Sequence, residues 1–202
     1  MLGFDDRTGA LATAWRVGIN PQQVTVAPLE GRVVVSDLGG FGSTGVPGDV
    51  RIFATRTGRA IRTVGPGAVL GRDGHPQLVA VDEARGQTWV VNVRYRHQPA
   101  VAFVILSTMS GKPQVSLPLP RSSGYTNIQS LALDPRRGHL WAGGYDLVGS
   151  FATVALFDTR SHRLLNGISS ALAATEPITS GNVETSVVVD ARHRCGLRRD
   201  CV

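Results

Sequence analysis

An all-β fold, a β-propeller of four-stranded antiparallel blades, is predicted by two sequence motifs that interleave along the chain with a shared period of 49 to 56 residues. Composition points the same way. The 202 residues include 24 glycines and 11 prolines, the signature of many tight turns between short strands. Hydrophobic residues make up 42% of the chain, enough for a core, and charged residues only 18%, which excludes a disordered, charge-rich chain.

The first motif is clearest in Pro76-Gln77-Leu78-Val79-Ala80-Val81-Asp82-Glu83-Ala84-Arg85-Gly86-Gln87-Thr88-Trp89-Val90-Val91-Asn92. Its aspartate, glycine and tryptophan recur at the same offsets in Asp134, Gly138 and Trp141. A weaker copy spans residues 24–35, and a fourth begins at Thr185 with Val187-Val188-Val189-Asp190. The equivalent positions Val26, Val81, Leu133 and Val189 are spaced by 55, 52 and 56 residues. Each copy reads as a hairpin: an apolar strand, a turn whose glycine takes positive φ, and a second strand opening on strand-forming residues. The recurring Asp82, Asp134 and Asp190 are expected to cap turns through local backbone hydrogen bonds. Trp89 and Trp141 are expected to pack between blades.

The second motif lies between copies of the first. It reads Phe4-Asp5-Asp6-Arg7-Thr8-Gly9 and Phe53-Ala54-Thr55-Arg56-Thr57-Gly58. It recurs as Leu106-Ser107-Thr108-Met109-Ser110-Gly111 and Phe157-Asp158-Thr159-Arg160-Ser161-His162. It too reads as a hairpin, so each period supplies strands A to D of one blade. The expected organisation is a partial blade at 1–17, blades at about 21–66, 76–119 and 127–166, and the start of a further blade at 185–193. An irregular tail covers 195–202. About three complete blades with partial blades at both ends lie at the lower limit for a closed propeller of four to eight blades. The expectation is a fragment of a larger ring, the alternative a closed four-bladed ring.

The stretch Val79-Ala80-Val81-Asp82-Glu83-Ala84-Arg85-Gly86-Gln87-Thr88-Trp89-Val90-Val91-Asn92, with the Ser107-Thr108-Met109-Ser110-Gly111-Lys112 hairpin, resembles the YVTN-type repeat of YncE-like β-propellers. It is similar in style to NHL and quinoprotein-like propellers. The resemblance covers nearly all of residues 1–190. It implies a bacterial, extracytoplasmic binding or scaffolding module, although some related propellers are lactonases or lyases. The copies here run longer than the compact repeat because their connections are enlarged.

Other function classes find little support. The formal charge of +6 is dispersed, with a net of +2 in residues 190–202, so no basic patch marks a nucleic-acid interface. Cys195 and Cys201 form no CxxC pattern; they either make one local disulfide or lie in an irregular tail. The five histidines lack ligand spacing, so neither a metal nor a cofactor is expected. No apolar run is long enough to span a membrane, and no signal peptide opens the chain. Gly40-Phe41-Gly42-Ser43-Thr44-Gly45 matches a dinucleotide-binding pattern but leads into Val46-Pro47-Gly48 instead of a helix.

The B–C loops, about 37–49, 93–99 and 143–150, and the D–A loops, about 65–75, 119–127 and 167–184, read as long and irregular. The A–B and C–D turns read as short and uniform. Variable loops on a rigid frame are where binding residues collect. The candidate ligand face therefore carries His75, Arg94, Tyr95, Arg96, His97, Asn127, Tyr145 and Asp146. Arg94-Tyr95-Arg96-His97 forms a basic-aromatic cluster suited to a carboxylate or phosphate. His75 and Asn127 are placed just before innermost strands, at the channel mouth. The leading expectation is a non-catalytic module that binds a protein, peptide or polymer on this face. The alternative is an enzyme of lactonase or lyase type with a polar or metal site at the channel mouth. No catalytic residue can be named from the sequence.

Overall fold

The computed structural model describes residues 1–4, 7–40, 46–67, 70–94, 100–119, 127–145 and 151–171. Among them, strands β1 (Leu2–Phe4) and β2 (Leu11–Ala14) pair as a two-stranded sheet. Blade I comprises β3 (Pro21–Ala27), β4 (Arg32–Asp37), β5 (Asp49–Ala54) and β6 (Ala60–Val64). Blade II comprises β7 (Gly74–Asp82), β8 (Gln87–Arg94), β9 (Ala100–Ser107) and β10 (Pro113–Pro118). Blade III comprises β11 (Asn127–Asp134), β12 (His139–Tyr145), β13 (Phe151–Asp158) and β14 (Arg163–Ala171). Each blade is a four-stranded antiparallel meander in chain order. The strand expected at 185–193, the tail at 195–202 and both cysteines lie outside the described residues. No described helix is long and apolar enough to cross a membrane.

Strand β8 shows why blades stack. Gln87-Thr88-Trp89-Val90-Val91-Asn92-Val93 is buried on both faces except at Gln87, as a strand must be when covered from two sides. Successive side chains point to opposite faces. Val90, with Val79, Val104 and Leu106, packs on Val34, Val50, Ile52 and Val64 of blade I. Trp89 and Val91, with Phe103 and Ile105, pack on Ile128, Leu140, Ala155 and Phe157 of blade III. Phe103 and Phe157 meet edge to face at 4.9 Å, and Trp89 lies 6.3 Å from Phe157. The remaining face of blade I, Val33, Val35 and Phe53, is covered by Met1, Trp15 and Val17. Trp15 stacks on Phe53 at 5.6 Å. The β1–β2 hairpin thus stands beside blade I as strands C and D of a preceding blade would.

Innermost strands have an edge with no ladder partner in their own sheet, and buried backbone groups there need other partners. Blade I supplies them to β7. Gln23 Oε1 accepts from the Val79 amide at 2.9 Å, and the Thr25 hydroxyl donates to the Val79 carbonyl at 3.1 Å. The Ser36 hydroxyl donates to the Gln77 carbonyl at 2.7 Å.

At the rim formed by the A–B and C–D turns, one hydrogen bond repeats in every blade. The Thr55 amide donates to the Gly31 carbonyl, Thr108 to Gly86 and Thr159 to Gly138, at 3.1, 2.9 and 2.7 Å. The recurring aspartates divide. Asp134 caps its turn as expected, accepting from the Arg136 and Arg137 amides at 3.1 Å. Burial acts to raise its pKa, but these bonds and the Arg137 guanidinium outweigh it and hold the carboxyl below its ordinary value. Asp82 makes no such cap. Its buried Oδ2 accepts from the Thr159 hydroxyl of blade III at 2.7 Å and from Arg85 at 2.9 Å. A threonine of the next blade reaches Asp82, so its carboxylate ties blades II and III together.

Turn backbones explain two further residues. Gly138 has φ 70°, and a Cβ there would stand 2.5 Å from Nη2 of Arg85. Glycine meets the left-handed backbone without strain and leaves the Arg85 guanidinium in place. His162 holds the position that glycine holds in the other C–D turns, at φ 57°. Its Nε2 lies 2.9 Å from Gln87 Nε2, and its ring packs edge-on against Trp89 at 5.6 Å. These blade II contacts offset the cost of a left-handed histidine, on the order of 1 kcal/mol.

Candidate functional site

The opposite rim carries the B–C and D–A connections. Their lengths are more mixed than the sequence indicated. Strands β8 and β12 extend further than expected, so the connections at 95–99 and 146–150 are five residues each, close to the four or five of the C–D turns. The connections at 38–48, 65–73 and 119–126 are long. Ladder pairing continues wherever cross-strand partners remain, which here runs to Arg94↔Ala100 and Tyr145↔Ala152.

His75 lies inside β7, not before it, and is 8% exposed. Its Nδ1 is 2.7 Å from the Leu38 carbonyl, so Nδ1–H donates and the ring clamps the base of the 38–48 connection. The Gly48 amide donates to the Gly74 carbonyl beside it at 3.0 Å. The base closes through the Gly40 amide on the Val46 carbonyl at 2.9 Å. The glycine-rich stretch therefore opens from a loop base, and its residues 41–45 lie outside the described residues.

Arg94 is exposed at the end of β8, and its guanidinium lies against Gly71 of the 65–73 connection, 3.1 Å from where a Cβ would stand. The end of β8 and the 65–73 connection thereby meet at one cation. Asn127 and Tyr145 are paired residues at the open end of β11 and β12. Tyr95, Arg96, His97 and Asp146 lie outside the described residues. Asp49 is engaged by a two-pronged ion pair with Arg51, at 2.9 Å on each prong. That hydrogen bond, ahead of the burial that opposes it, holds the Arg51 pKa above its ordinary value.

Two buried residues at this rim are not among the eight candidate site residues. Asp37, 2% exposed, accepts through Oδ1 from the Asn20 amide at 3.1 Å and the Gly39 amide at 2.7 Å. Asn92, fully buried, occupies the equivalent place in blade II and donates to the Leu70 carbonyl at 2.9 Å. Each fastens the connection that leads into its own blade. Blade III has Gly144 there. The available signal was a polar residue closing a valine run, Val33-Val34-Val35-Ser36-Asp37 and Val90-Val91-Asn92. Among the described residues no group of three or more His, Cys, Asp or Glu side chains could hold a metal ion.

Stacked four-stranded meanders with their innermost strands side by side define a β-propeller. No protein-family model matches the chain, and no curated protein does. Solved structures do match, and they are similar in fold alone. Kuenenia stuttgartiensis hydrazine synthase is 14% identical, with a TM-score of 0.65 over 84% of this chain and 43% of that one. The Dos1 propeller is 11% identical, with a TM-score of 0.53 over 75% and 37%. A 6-phosphogluconolactonase, so named provisionally, from Bacteroides uniformis is 13% identical, with a TM-score of 0.53 over 84% and 47%. The chain spans less than half the length of each. It is a partial propeller.

Proposed function

We propose that the chain is part of a YVTN-type propeller that binds a protein, peptide or polymer on its B–C and D–A loop rim, without catalysis. The observation that carries this reading is the anchoring of that rim. Asp37, His75 and Asn92 fix loop bases through buried hydrogen bonds, while Arg94 projects exposed above them. Fixed bases with an exposed cation suit recognition, because the frame is ordered before the ligand arrives. The ligand surface in this reading comprises Arg94, Tyr95, Arg96, His97, Asn127, Tyr145 and Asp146. His75 supports it from below. The motif resemblance supports the repeat class, and the extracytoplasmic setting rests on that resemblance alone.

The test is a panel of acidic peptides and anionic polysaccharides screened against the purified chain, with a lactone-hydrolysis assay beside it. The expected result is saturable binding that Arg94→Ala weakens about tenfold, the loss of one charge-assisted contact. Lactone turnover above background, or binding indifferent to Arg94 and Tyr95 substitutions, overturns the proposal.

A further inference from the structure

A cavity of about 490 Å3 opens at the other rim of blade I, lined by Gly31, Arg32, Thr55, Arg56, Thr57 and Arg59 with Ala54. Among the described residues no acidic side chain lines it. The Arg32 Nε is buried without a hydrogen-bond partner. Blade III shows what the equivalent place holds. There Gly138 and Thr159 correspond to Gly31 and Thr55, and Arg160 and Arg163 correspond to Arg56 and Arg59. That place is filled by the A–B turn of the preceding blade: Asp82 accepts from Thr159, and Arg85 lies over Gly138. Blade II follows the same rule, with Glu30 of blade I against Gly86. Over Gly31 a Cβ would meet, among the described residues, only Thr55 of its own blade. The β1–β2 hairpin supplies two strands on this side, and β1 has an edge unpaired among the described residues.

We infer that this cavity is a docking socket for an aspartate-headed A–B hairpin of the same repeat, one that completes the blade to which β1 and β2 belong. The aspartate accepts from the Thr55 hydroxyl and meets the cationic side chains of Arg32, Arg56 and Arg59, of which Arg32 already feels Glu30. The hairpin's second strand adds to the open edge of β1, as β12 adds to β13 in blade III. The inference concerns assembly of the propeller and is independent of the ligand proposed for the opposite rim.

The test is a titration of the isotope-labelled 202-residue chain with a synthetic peptide of residues 76–92, followed by amide and arginine Nε–H resonances. The expected result is shifts at Gly31, Arg32 and Thr55–Thr57. Binding should weaken at least about tenfold for a peptide with Asp82→Asn and for a chain with Thr55→Val, since each removes a hydrogen bond to a charged acceptor. Thr55→Val keeps the backbone bond to Gly31, and the peptide variant keeps the test independent of that chain's folding. Equal affinity for the Asn peptide overturns the inference, as does an absence of shifts at millimolar peptide. Shifts produced by sulfate but not by the peptide would also overturn it, and would make the cavity a small-anion site.

Discussion

The two rims of the propeller hold their connections by opposite strategies. On the A–B and C–D rim, the same bond recurs in blades I, II and III, threonine amide to glycine carbonyl. On the other rim, equivalent positions use different chemistry: Asp37 accepts from amides, Asn92 donates to a carbonyl, and Gly144 does neither. A repeated bond demands a repeated turn, so the first rim cannot vary. An anchor whose polarity adapts to the connection it holds allows each loop to differ. Diversity on one rim rests on uniformity at the other.

The largest effect is expected at the place where the uniform rim meets the core. Trp89→Ala removes a fully buried ring shared by blades II and III and should lower unfolding free energy by about 3–5 kcal/mol in urea titrations. A loss under 1 kcal/mol would mean that the blades do not depend on this contact. Next, Thr159→Val should cost about 1.5–3 kcal/mol, because buried Asp82 loses a donor and the valine cannot replace it. On the variable rim, Asn92→Ala strands the Leu70 carbonyl at an expected cost of about 1–3 kcal/mol. Its second signature is local: hydrogen exchange should speed up in residues 65–73 and stay unchanged in 83–86. Uniform acceleration at both rims would erase the contrast between them.

A smaller, pH-dependent effect is expected at His162. Burial against blade II, partly countered by Asp158, lowers its pKa below the ordinary value of 6.5. The folded state therefore binds the proton less readily than the unfolded chain. Its contribution is fully present above pH 6.5 and is lost as pH falls through the folded pKa. His162→Gln should flatten that part of the stability profile relative to the parent chain, as read from melting temperatures at successive pH values. An unchanged profile would show that the ring does not feel its burial.

Much of this contrast was legible beforehand. The periodic aspartate, glycine and tryptophan revealed the blades because turns with positive φ and inter-blade packing accept few residue types. The second motif exposed Phe53, Leu106 and Phe157 as strand-C positions for the same reason. In the fourth copy of that motif His162 stands where the others have glycine. The anchors of the variable rim were harder to see. Asp37 and Asn92 act through backbone groups of connections that carry no side-chain pattern, so nothing in their spacing reports the partner. Asp82 and Asp134 hold equivalent positions in the motif, yet one bonds Thr159 of the next blade and the other caps its own turn. His75 was taken for a residue at the channel mouth, whereas strand pairing carries β7 past it and buries its ring.

The central claim is that the variable rim binds and the uniform rim builds. It is tested most directly by a hydrogen-exchange footprint of the chain with a ligand recovered from the peptide and polysaccharide panel. Protection confined to residues 38–48, 94–99 and 146–150, with 28–31, 55–59 and 108–112 unchanged, is the predicted result. Protection falling on the A–B and C–D turns instead would contradict it.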